Sequence, residues 1–373
     1  MSDKEAGHIL DNLNADDAAD LIDERPANVV KKLLANADPE TRRDINHLLQ
    51  YPDDSAGSIM TVEFMDLKEA YTVEQSLRKI RMEGIDKETI NTCYILNPHR
   101  RLLGAISLRR LLLSDPVEKM SNIMEDHVIS VSTRTDQEEV AQLFQKYDFT
   151  SIPVVDSENR LVGIITVDDI VDILQQEATE DIEKMAAITP TDKPYIKTGV
   201  LETWKKRIPW LLILMISATF TGKIISHYEA ALASYVVLTA FIPMLMDTGG
   251  NAGSQASVSI IRGLSLNEID YGDTLKILMK EWLVGVLIGA TLAAANFVKL
   301  LIIDRVTITI AAVVCMTLIV TVIFAKLVGC SLPILAKRLG FDPAVMASPF
   351  ITTIVDALSL MMYFKIAGVI LHI

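Results

Sequence analysis

The chain has 373 residues, half of them hydrophobic, with a mean hydropathy of +0.32 and a formal net charge of −13. The charge is uneven, because residues 1–200 carry a net −16 and residues 201–373 carry +3. An acidic half repels phosphates, which disfavours nucleic acid as a partner, and an apolar half indicates a second domain in a different solvent. The cysteines Cys93, Cys315 and Cys330 show no metal-ligand spacing, so we expect them to be reduced and structural.

Residues 1–54 predict a short all-α cap. Apolar residues recur at helical spacing in ADDAADLIDERP, ANVVKKLLAN and PETRRDINHLLQ, which Pro26 and Pro39 separate. The cap has few core residues and should therefore pack on another domain. The polar start MSDKEAGHIL does not resemble a signal peptide, so we expect the N-terminal half to stay in the cytoplasm.

Residues 55–174 contain an α/β repeat. CYILNPHRRLLGAISLRRLL (93–112) and SIPVVDSENRLVGIITVDDIVDIL (151–174) each predict a strand, a turn, a glycine-containing strand and a helix, with a further helix before each near 73–83 and 136–147. The repeat resembles tandem CBS domains, which bind adenine nucleotides or metal ions and relay that binding to an attached domain. The resemblance implies ribose contacts at Thr166 and Asp169, whereas the first repeat has Arg110 where the acid would be. A plain strand–helix turn with a capping acid is the alternative.

Residues 175–205 predict an acidic connecting helix and a linker, and residues 206–373 predict an all-α membrane domain. Each of five apolar segments is long enough to span a bilayer: 208–227, 232–262, 274–302, 306–334 and 344–372. Lys and Arg cluster before the first segment, between the second and third, and between the fourth and fifth. The positive-inside rule makes those loops cytoplasmic and leaves the C-terminus outside.

The second predicted span, SYVVLTAFIPMLMDTGGNAGSQASVSIIRG (234–263), is rich in glycine and polar residues. Such residues are tolerated where a helix lines a water-filled cavity or packs closely on another helix. Spacing alone leaves both interpretations open: a pore wall, or a glycine packing motif with Asn and Gln bonding between helices.

Asp356 lies about half-way along the last predicted span, where an ionised carboxylate costs roughly 2.5–3.5 kcal/mol. On the predicted topology Asp247 lies at a similar depth. A buried ion pair is the alternative, but Lys365, the nearest basic residue in the span, is more than two turns away. An intramembrane acid of this kind indicates an ion or proton path.

The neighbouring residues offer only oxygen ligands, from hydroxyls at Thr352, Thr353 and Ser359, the Asn251 amide and backbone carbonyls. Oxygen ligands suit Mg²⁺ or Ca²⁺ and disfavour zinc and copper, and a wide site holding a hydrated ion suits Mg²⁺ best. Co²⁺, Mn²⁺ and Ca²⁺ stay open as the ion carried. Because one Asp per chain is a weak site, we expect a symmetric homodimer with the two copies of Asp356 facing each other.

The domain order and four motifs resemble the MgtE family of magnesium channels over nearly the whole chain. The motifs are YPDDSAGSIMTVEF (51–64), TVDDIVDILQQEATEDI (166–182), PMLMDTGGNAGSQ (243–255) and FDPAVMASPFITTIVDALSLMMYF (341–364). The resemblance implies a homodimeric Mg²⁺ channel of the inner membrane, with Asp356 at the selectivity site and Thr352 beside it. The candidate pore residues are Asp356, Thr352, Asn251, Gly249, Gly250 and Asp247. Many relatives have a small residue at position 247, so Asp247 either adds a ring of charge to the pore or is structural.

The resemblance also implies a regulatory Mg²⁺ region. Its candidate residues are Asp136, Glu138, Asp148, Asp169, Asp172, Glu177, Glu180 and Asp181, with Asp342 on the membrane side. Divalent cations relieve the repulsion between these carboxylates, so high cytoplasmic Mg²⁺ should compact the dimer and close the pore. The alternative is a solvated acidic helix face. The cap is shorter than the resemblance leads us to expect, so its contribution to regulation stays open.

A rival interpretation is a membrane-anchored CBS sensor of metal or nucleotide that does not transport; it predicts that Asp356 is replaceable without loss of ion flux. We do not expect an enzyme, since the chain has no GxxxxGK[ST] motif and no His or paired base near Asp356 in sequence.

Overall fold

The computed structural model describes residues 10–372 except 12, 24, 26 and 192. Pro26, which we predicted to separate two helices, lies outside these residues. The chain divides into two compact units, residues 1–177 and 178–373.

The first unit begins with three helices, α1 (Ala15–Asp23), α2 (Ala27–Asn36) and α3 (Pro39–Leu48). Their buried side chains, such as Ile22 and Ile45, share one core with Val140 and Ile152 of the second repeat. The cap therefore packs on another part of the chain, as its small number of apolar residues requires.

Each repeat forms a three-stranded sheet with helices. The first contains β1 (Phe64–Lys68), α4 (Val73–Glu83), β2 (Thr89–Leu96), β3 (Leu102–Ser107) and α5 (Leu108–Leu113). After the short α6 (Met120–Ile123), the second contains β4 (Val131–Ser132), α7 (Gln137–Tyr147), β5 (Ser151–Val155), β6 (Leu161–Thr166) and α8 (Val167–Met185). In both sheets the first strand pairs parallel to the second, and the second pairs antiparallel to the third.

The predicted order of strand, turn, strand and helix is present in both repeats. The sequence patterns missed β1 and β4, which have only five and two residues. The two repeats contact each other through the buried Tyr94 hydroxyl, which lies 2.9 Å from the Ser151 hydroxyl.

The second unit is helical. After α9 (Val200–His227) and α10 (Glu229–Ser234) come α11 (Ile242–Ser265), α12 (Thr274–Ile302), α13 (Ile308–Arg338) and α14 (Ser348–Leu371). Among the described residues, four segments are long and apolar enough to cross a membrane: Val200–His227, Thr274–Ile302, Ile308–Arg338 and Pro343–Leu371. The second predicted span, 232–262, corresponds to α11, which is not among these four segments.

Helix α13 lies at the centre of the membrane unit and packs against α11, α12 and α14. Backbones approach closely where α13 meets α11, because a Cβ atom on Gly329 would overlap the backbone of Gly253. All three cysteines lie in the described part of the chain as buried, free thiols, as predicted.

Gly329→Ala should destabilise the membrane unit, because the added methyl group overlaps the Gly253 backbone. Overpacking of this kind costs about 1–3 kcal/mol. Gly222→Ala in α9 is the matched control, since a Cβ atom there meets nothing within 4 Å. We expect a lower unfolding temperature in detergent for Gly329→Ala alone; equal temperatures for both variants would contradict this packing.

Candidate ion pathway and regulatory sites

Helix α11 has two different faces. Asp247, Asn251 and Gln255 are exposed and four residues apart, so they line one side of the helix as a polar stripe. Gly249 and Gly253 are buried on the other side. Because lipid cannot satisfy a carboxylate and two amides, the polar stripe must face water or another protein surface.

The buried glycines of α11 bring it against α14. A Cβ atom on Gly250 would lie 2.9 Å from Thr352 Cγ2, and one on Gly249 would lie 3.0 Å from both Val355 Cγ1 and Ser359 Oγ. Gly249 and Gly250, two of the predicted pore residues, thus occupy a helix contact rather than the exposed stripe. Both glycines therefore permit close packing, and their contribution to a pore stays a prediction.

Asp356 lies half-buried on α14, one turn after Thr352. Asp247 of the polar stripe acts on Asp356 electrostatically. The similar depth of the two carboxylates in the membrane stays a prediction. The Thr352 and Thr353 hydroxyls donate to the Pro349 carbonyl at 2.9 and 3.0 Å, which leaves their oxygens able to accept or to ligate. Lys365 is exposed on the same helix.

Within the described residues, no three His, Cys, Asp or Glu side chains converge on a single metal position. One chain therefore brings two carboxylates, Asp247 and Asp356, to this level of the membrane unit, with an amide and hydroxyls beside them. Such a set can attract a divalent cation but leaves most of its coordination sphere to water or to a second copy.

The predicted regulatory residues around α7 do not form one site in a single chain. Asp136 caps the helix and accepts from the Glu138 backbone N–H at 2.9 Å, whereas Asp148 follows the last turn in a left-handed conformation. The eleven residues between these ends span about 16 Å. Asp136 and Glu138 are close enough to share one hydrated cation, whereas Asp148 would belong to a different cation site.

Asp169 lies in a cluster of carboxylates that the sequence patterns did not predict. Burial, and after it the nearby Asp169, raise the pKa of Asp16 to about 7. Burial also raises the pKa of Glu88, with contributions from Asp168 and Asp169. We call this group the α1 acidic cluster, which consists of Asp16, Asp17, Glu63, Glu88, Asp168 and Asp169.

Asp16 is the most buried member of the α1 acidic cluster, with 8% of its surface exposed. Within the described part of the chain, its Oδ1 atom has no hydrogen-bond partner. The sequence shows only the DDAAD run in α1, which contains Asp16 and Asp17, because the other four members come from segments that are distant in sequence. A carboxylate buried in this way needs a proton or a cation.

The predicted ribose contacts, Thr166 and Asp169, bond to each other. The Thr166 hydroxyl donates to Asp169 Oδ2 at 2.7 Å, and the Thr166 backbone N–H donates to the same oxygen at 3.4 Å. This is the capping arrangement that we gave as the alternative. The neighbouring Asp16 and Glu88 also make the position unfavourable for phosphate.

The C-terminal part of α8 carries a lysine between two predicted metal ligands. Lys184 Nζ lies 2.5 Å from Glu180 Oε1 and 2.6 Å from Asp342 Oδ2. Burial lowers the pKa of Lys184, but its bonds to Asp342 and Glu180 outweigh that effect and hold it above its usual value. The ammonium group thus sits where we had expected a divalent cation.

The remaining predicted residues of α8 are separate from this contact. Glu177 accepts a hydrogen bond from Gln137 Nε2 at 2.7 Å, Asp172 is exposed and Asp181 is half-buried. The three carboxylates thus differ in their surroundings, and their role as Mg²⁺ ligands stays a prediction.

Comparison with known proteins agrees with this architecture. Residues 242–366 match the divalent cation transporter family MgtE, residues 1–54 match the MgtE intracellular N domain, and residues 120–176 match the CBS domain. The magnesium transporter MgtE of Thermus thermophilus is 40% identical over 365 residues, which cover 96% of this chain and 80% of that protein. The chain belongs to the MgtE family of magnesium transporters.

Two further MgtE proteins illustrate the range of similarity. The magnesium transporter MgtE of Bacillus subtilis is 36% identical, and the alignment covers 97% of this chain and 80% of that protein. A crystal structure of the cytosolic domain of the Mg²⁺ channel MgtE in complex with ATP is 44% identical, with a TM-score of 0.44. It covers 45% of this chain and 69% of that one. The relatives from Thermus thermophilus and Bacillus subtilis confirm the predicted family resemblance.

Asp16 should make the first unit sensitive to pH when divalent cations are absent. Its folded pKa of about 7 lies above its ordinary value of 3.8, so the folded state binds more protons and loses stability as pH rises through this range. The full effect is on the order of 4 kcal/mol. Hydrogen exchange of residues 13–23 in the full chain, with a chelator present, should show less protection at about pH 8.5 than at about pH 5.5.

Asp16→Asn should remove most of this pH dependence, and Asp53→Asn, an exposed control, should keep it. Added Mg²⁺ should restore protection at high pH in the parent chain but not in Asp16→Asn. If the pH dependence is unchanged in Asp16→Asn, other carboxylates cause it and the prediction is wrong.

Proposed function

We propose that this chain transports Mg²⁺ across the cell membrane, along a path lined by the polar stripe of α11 and by Asp356 of α14. The observation that carries the proposal is the exposed stripe of Asp247, Asn251 and Gln255 beside Asp356. A helix with these side chains would be unstable against lipid, but it suits the wall of a path for a hydrated cation. The family membership of the chain supports the same conclusion.

The path is completed by a second copy in a symmetric homodimer. One chain supplies two carboxylates to the site, whereas a two-fold axis beside Asp356 would supply four. The same axis would cover both polar stripes and leave the apolar faces of the outer helices to lipid. Asp247 then adds a second level of negative charge to the path.

We further propose five membrane crossings, with α11 as the second. Its 24 residues reach about 36 Å, enough for the hydrocarbon thickness, and its buried packing on α13 and α14 compensates for its polar face. Lys205, Lys206 and Arg207 lie at the start of the first crossing, and by the positive-inside rule they support a cytoplasmic position for the first unit. The C-terminus then lies outside the inner membrane.

Cytoplasmic Mg²⁺ closes the path in this proposal. Mg²⁺ ions bind between the carboxylates of the α1 acidic cluster, of α7 and of α8, and they favour the compact state in which those groups approach. At Glu180 and Asp342, Lys184 already supplies one positive charge, so the contact persists in part without Mg²⁺. An adenine nucleotide at Thr166 and Asp169 is a weaker proposal, because the surrounding carboxylates disfavour phosphate.

Asp356→Ala should abolish Mg²⁺ uptake into proteoliposomes, because the variant removes the charge that compensates the dehydration of the ion. We expect the uptake rate to fall at least about tenfold, and Asn251→Leu should also lower it. The inside-negative potential supplies roughly 4.6 kcal/mol per Mg²⁺ ion at about 100 mV.

Met361→Ala is the matched control, since Met361 is exposed on the same helix and should not affect uptake. Equal Mg²⁺ flux into vesicles with wild type, with Asp356→Ala and without protein would contradict transport. That result would support the rival interpretation, a membrane-anchored CBS sensor. Uptake of Co²⁺ and Mn²⁺ by the wild type tests the breadth of selectivity.

Lys184→Met should increase uptake at low cytoplasmic Mg²⁺ by about two- to fivefold, because Glu180 and Asp342 then repel each other without a counter-ion. High cytoplasmic Mg²⁺ should still close the variant. Lys193→Met, which removes an exposed lysine paired with Glu202, is the control. Uptake equal to wild type at low Mg²⁺ would show that the Lys184 contact does not restrain the gate.

A further inference from the structure

Glu281 of α12 and Lys326 of α13 form an ion pair inside the membrane unit. Lys326 Nζ lies 3.8 Å from Glu281 Oε2, and the side chains are only 6% and 14% exposed. Charges are rare within membrane spans, and those that occur usually have a role. Neither residue belongs to the polar stripe or to the regulatory residues described above.

The ion pair continues a regular contact between α12 and α13. A Cβ atom on Gly285 would lie 3.1 Å from Ile323 Cα, and one on Gly289 would lie 3.0 Å from Ile319 Cα. One turn further on, the Cys315 thiol donates to the Ala293 carbonyl at 3.3 Å. Glu281, Gly285, Gly289 and Ala293 are spaced four residues apart, and their contacts on α13 run in the opposite direction.

A one-turn shift of α12 would place either Glu281 or Ala293 at a position that a glycine now occupies. A Cβ atom there lies 3.1 Å from Ile323 Cα or 3.0 Å from Ile319 Cα, which is closer than ordinary van der Waals contact. The same shift would move Glu281 away from Lys326 and leave two charges unpaired in an apolar region. The ion pair and the glycines therefore favour the same register.

The opposite side of the same α13 segment holds α11. A Cβ atom on Gly253 would lie 3.1 Å from the Ala325 carbonyl oxygen, and Gly329 contacts the Gly253 backbone. Ala325 and Gly329 flank Lys326 in sequence. Lys326 therefore pairs with α12 at the same level at which α13 contacts α11.

We propose that the Glu281–Lys326 ion pair positions the transport path by holding α12 in register on α13 at the level where α13 also contacts α11. This inference rests on the proposed Mg²⁺ transport, which it extends by two positioning residues that do not touch the ion. Loss of the pair would leave a buried charge unpaired beside Ala325 and Gly329. The repacking of α13 at that level would shift α11, move Asp247 and Asn251 away from Asp356, and so weaken binding of the entering ion.

The first test measures Mg²⁺ uptake against external Mg²⁺ in Glu281→Gln, Lys326→Met, the double neutral variant and the charge reversal Glu281→Lys with Lys326→Glu. We expect the half-saturating Mg²⁺ concentration to rise at least about fivefold in each single variant and in the double neutral variant. The charge reversal should return it to within about twofold of wild type.

A purely stabilising role gives a different result. It would lower maximal uptake in proportion to the amount of folded protein and leave the half-saturating concentration unchanged in every variant. That outcome, or a charge reversal no better than the single variants, would overturn the proposal.

The second test reads the register without transport. Ala293→Cys, in a chain lacking Cys93 and Cys330, should form a disulfide with Cys315 on mild oxidation. Val298→Cys, at an exposed position of α12, should not. We expect cross-linking to fall in the single variants and to recover in the charge reversal. If every variant cross-links as the wild type does, the inference is overturned, even if the protein transports Mg²⁺. If cross-linking depends on the ion pair but no variant or wild type transports Mg²⁺, only the proposed function is overturned.

Discussion

The membrane unit depends on the close approach of α11 to α13 and α14 through glycine. Where Gly253 meets Gly329, the two backbones leave no room for a side chain. Such contacts gain dispersion energy that lipid cannot match, because apolar side chains pack equally well against hydrocarbon tails. This contact holds a helix with a polar side against two apolar helices, and it supports the proposed crossing of the membrane by α11.

A helix of this kind is intermediate between a membrane span and a pore wall. The glycines give α11 a flat buried side, and the amides and carboxylate give it a hydrated side, so its average hydropathy is modest. Criteria of length and mean hydropathy therefore select four segments and omit α11, although it is packed at the centre of the unit. The helix is unusual in composition because its two sides meet different surroundings.

The sequence predicted the repeats, the cap helices, the apolar segments and the family, since these depend on periodicity or on motifs of many residues. It also identified Asp356 and Asp247 as acidic residues on long apolar segments, and both lie on helices of the membrane unit. It did not predict the burial of Asp16, the position of Lys184 between Glu180 and Asp342, or the pairing of Glu281 with Lys326. Each of these depends on contacts between distant segments, for which local patterns carry no signal.

The burial of Asp16 has a consequence for the chemistry of sensing. A carboxyl group whose pKa is about 7 is partly protonated near neutral pH, and a metal ion can bind only the deprotonated form. Under the proposed regulation by Mg²⁺, each ion that enters the α1 acidic cluster would displace a proton. Acidification would compete with the metal, so the proton concentration would change the Mg²⁺ level at which this cluster responds.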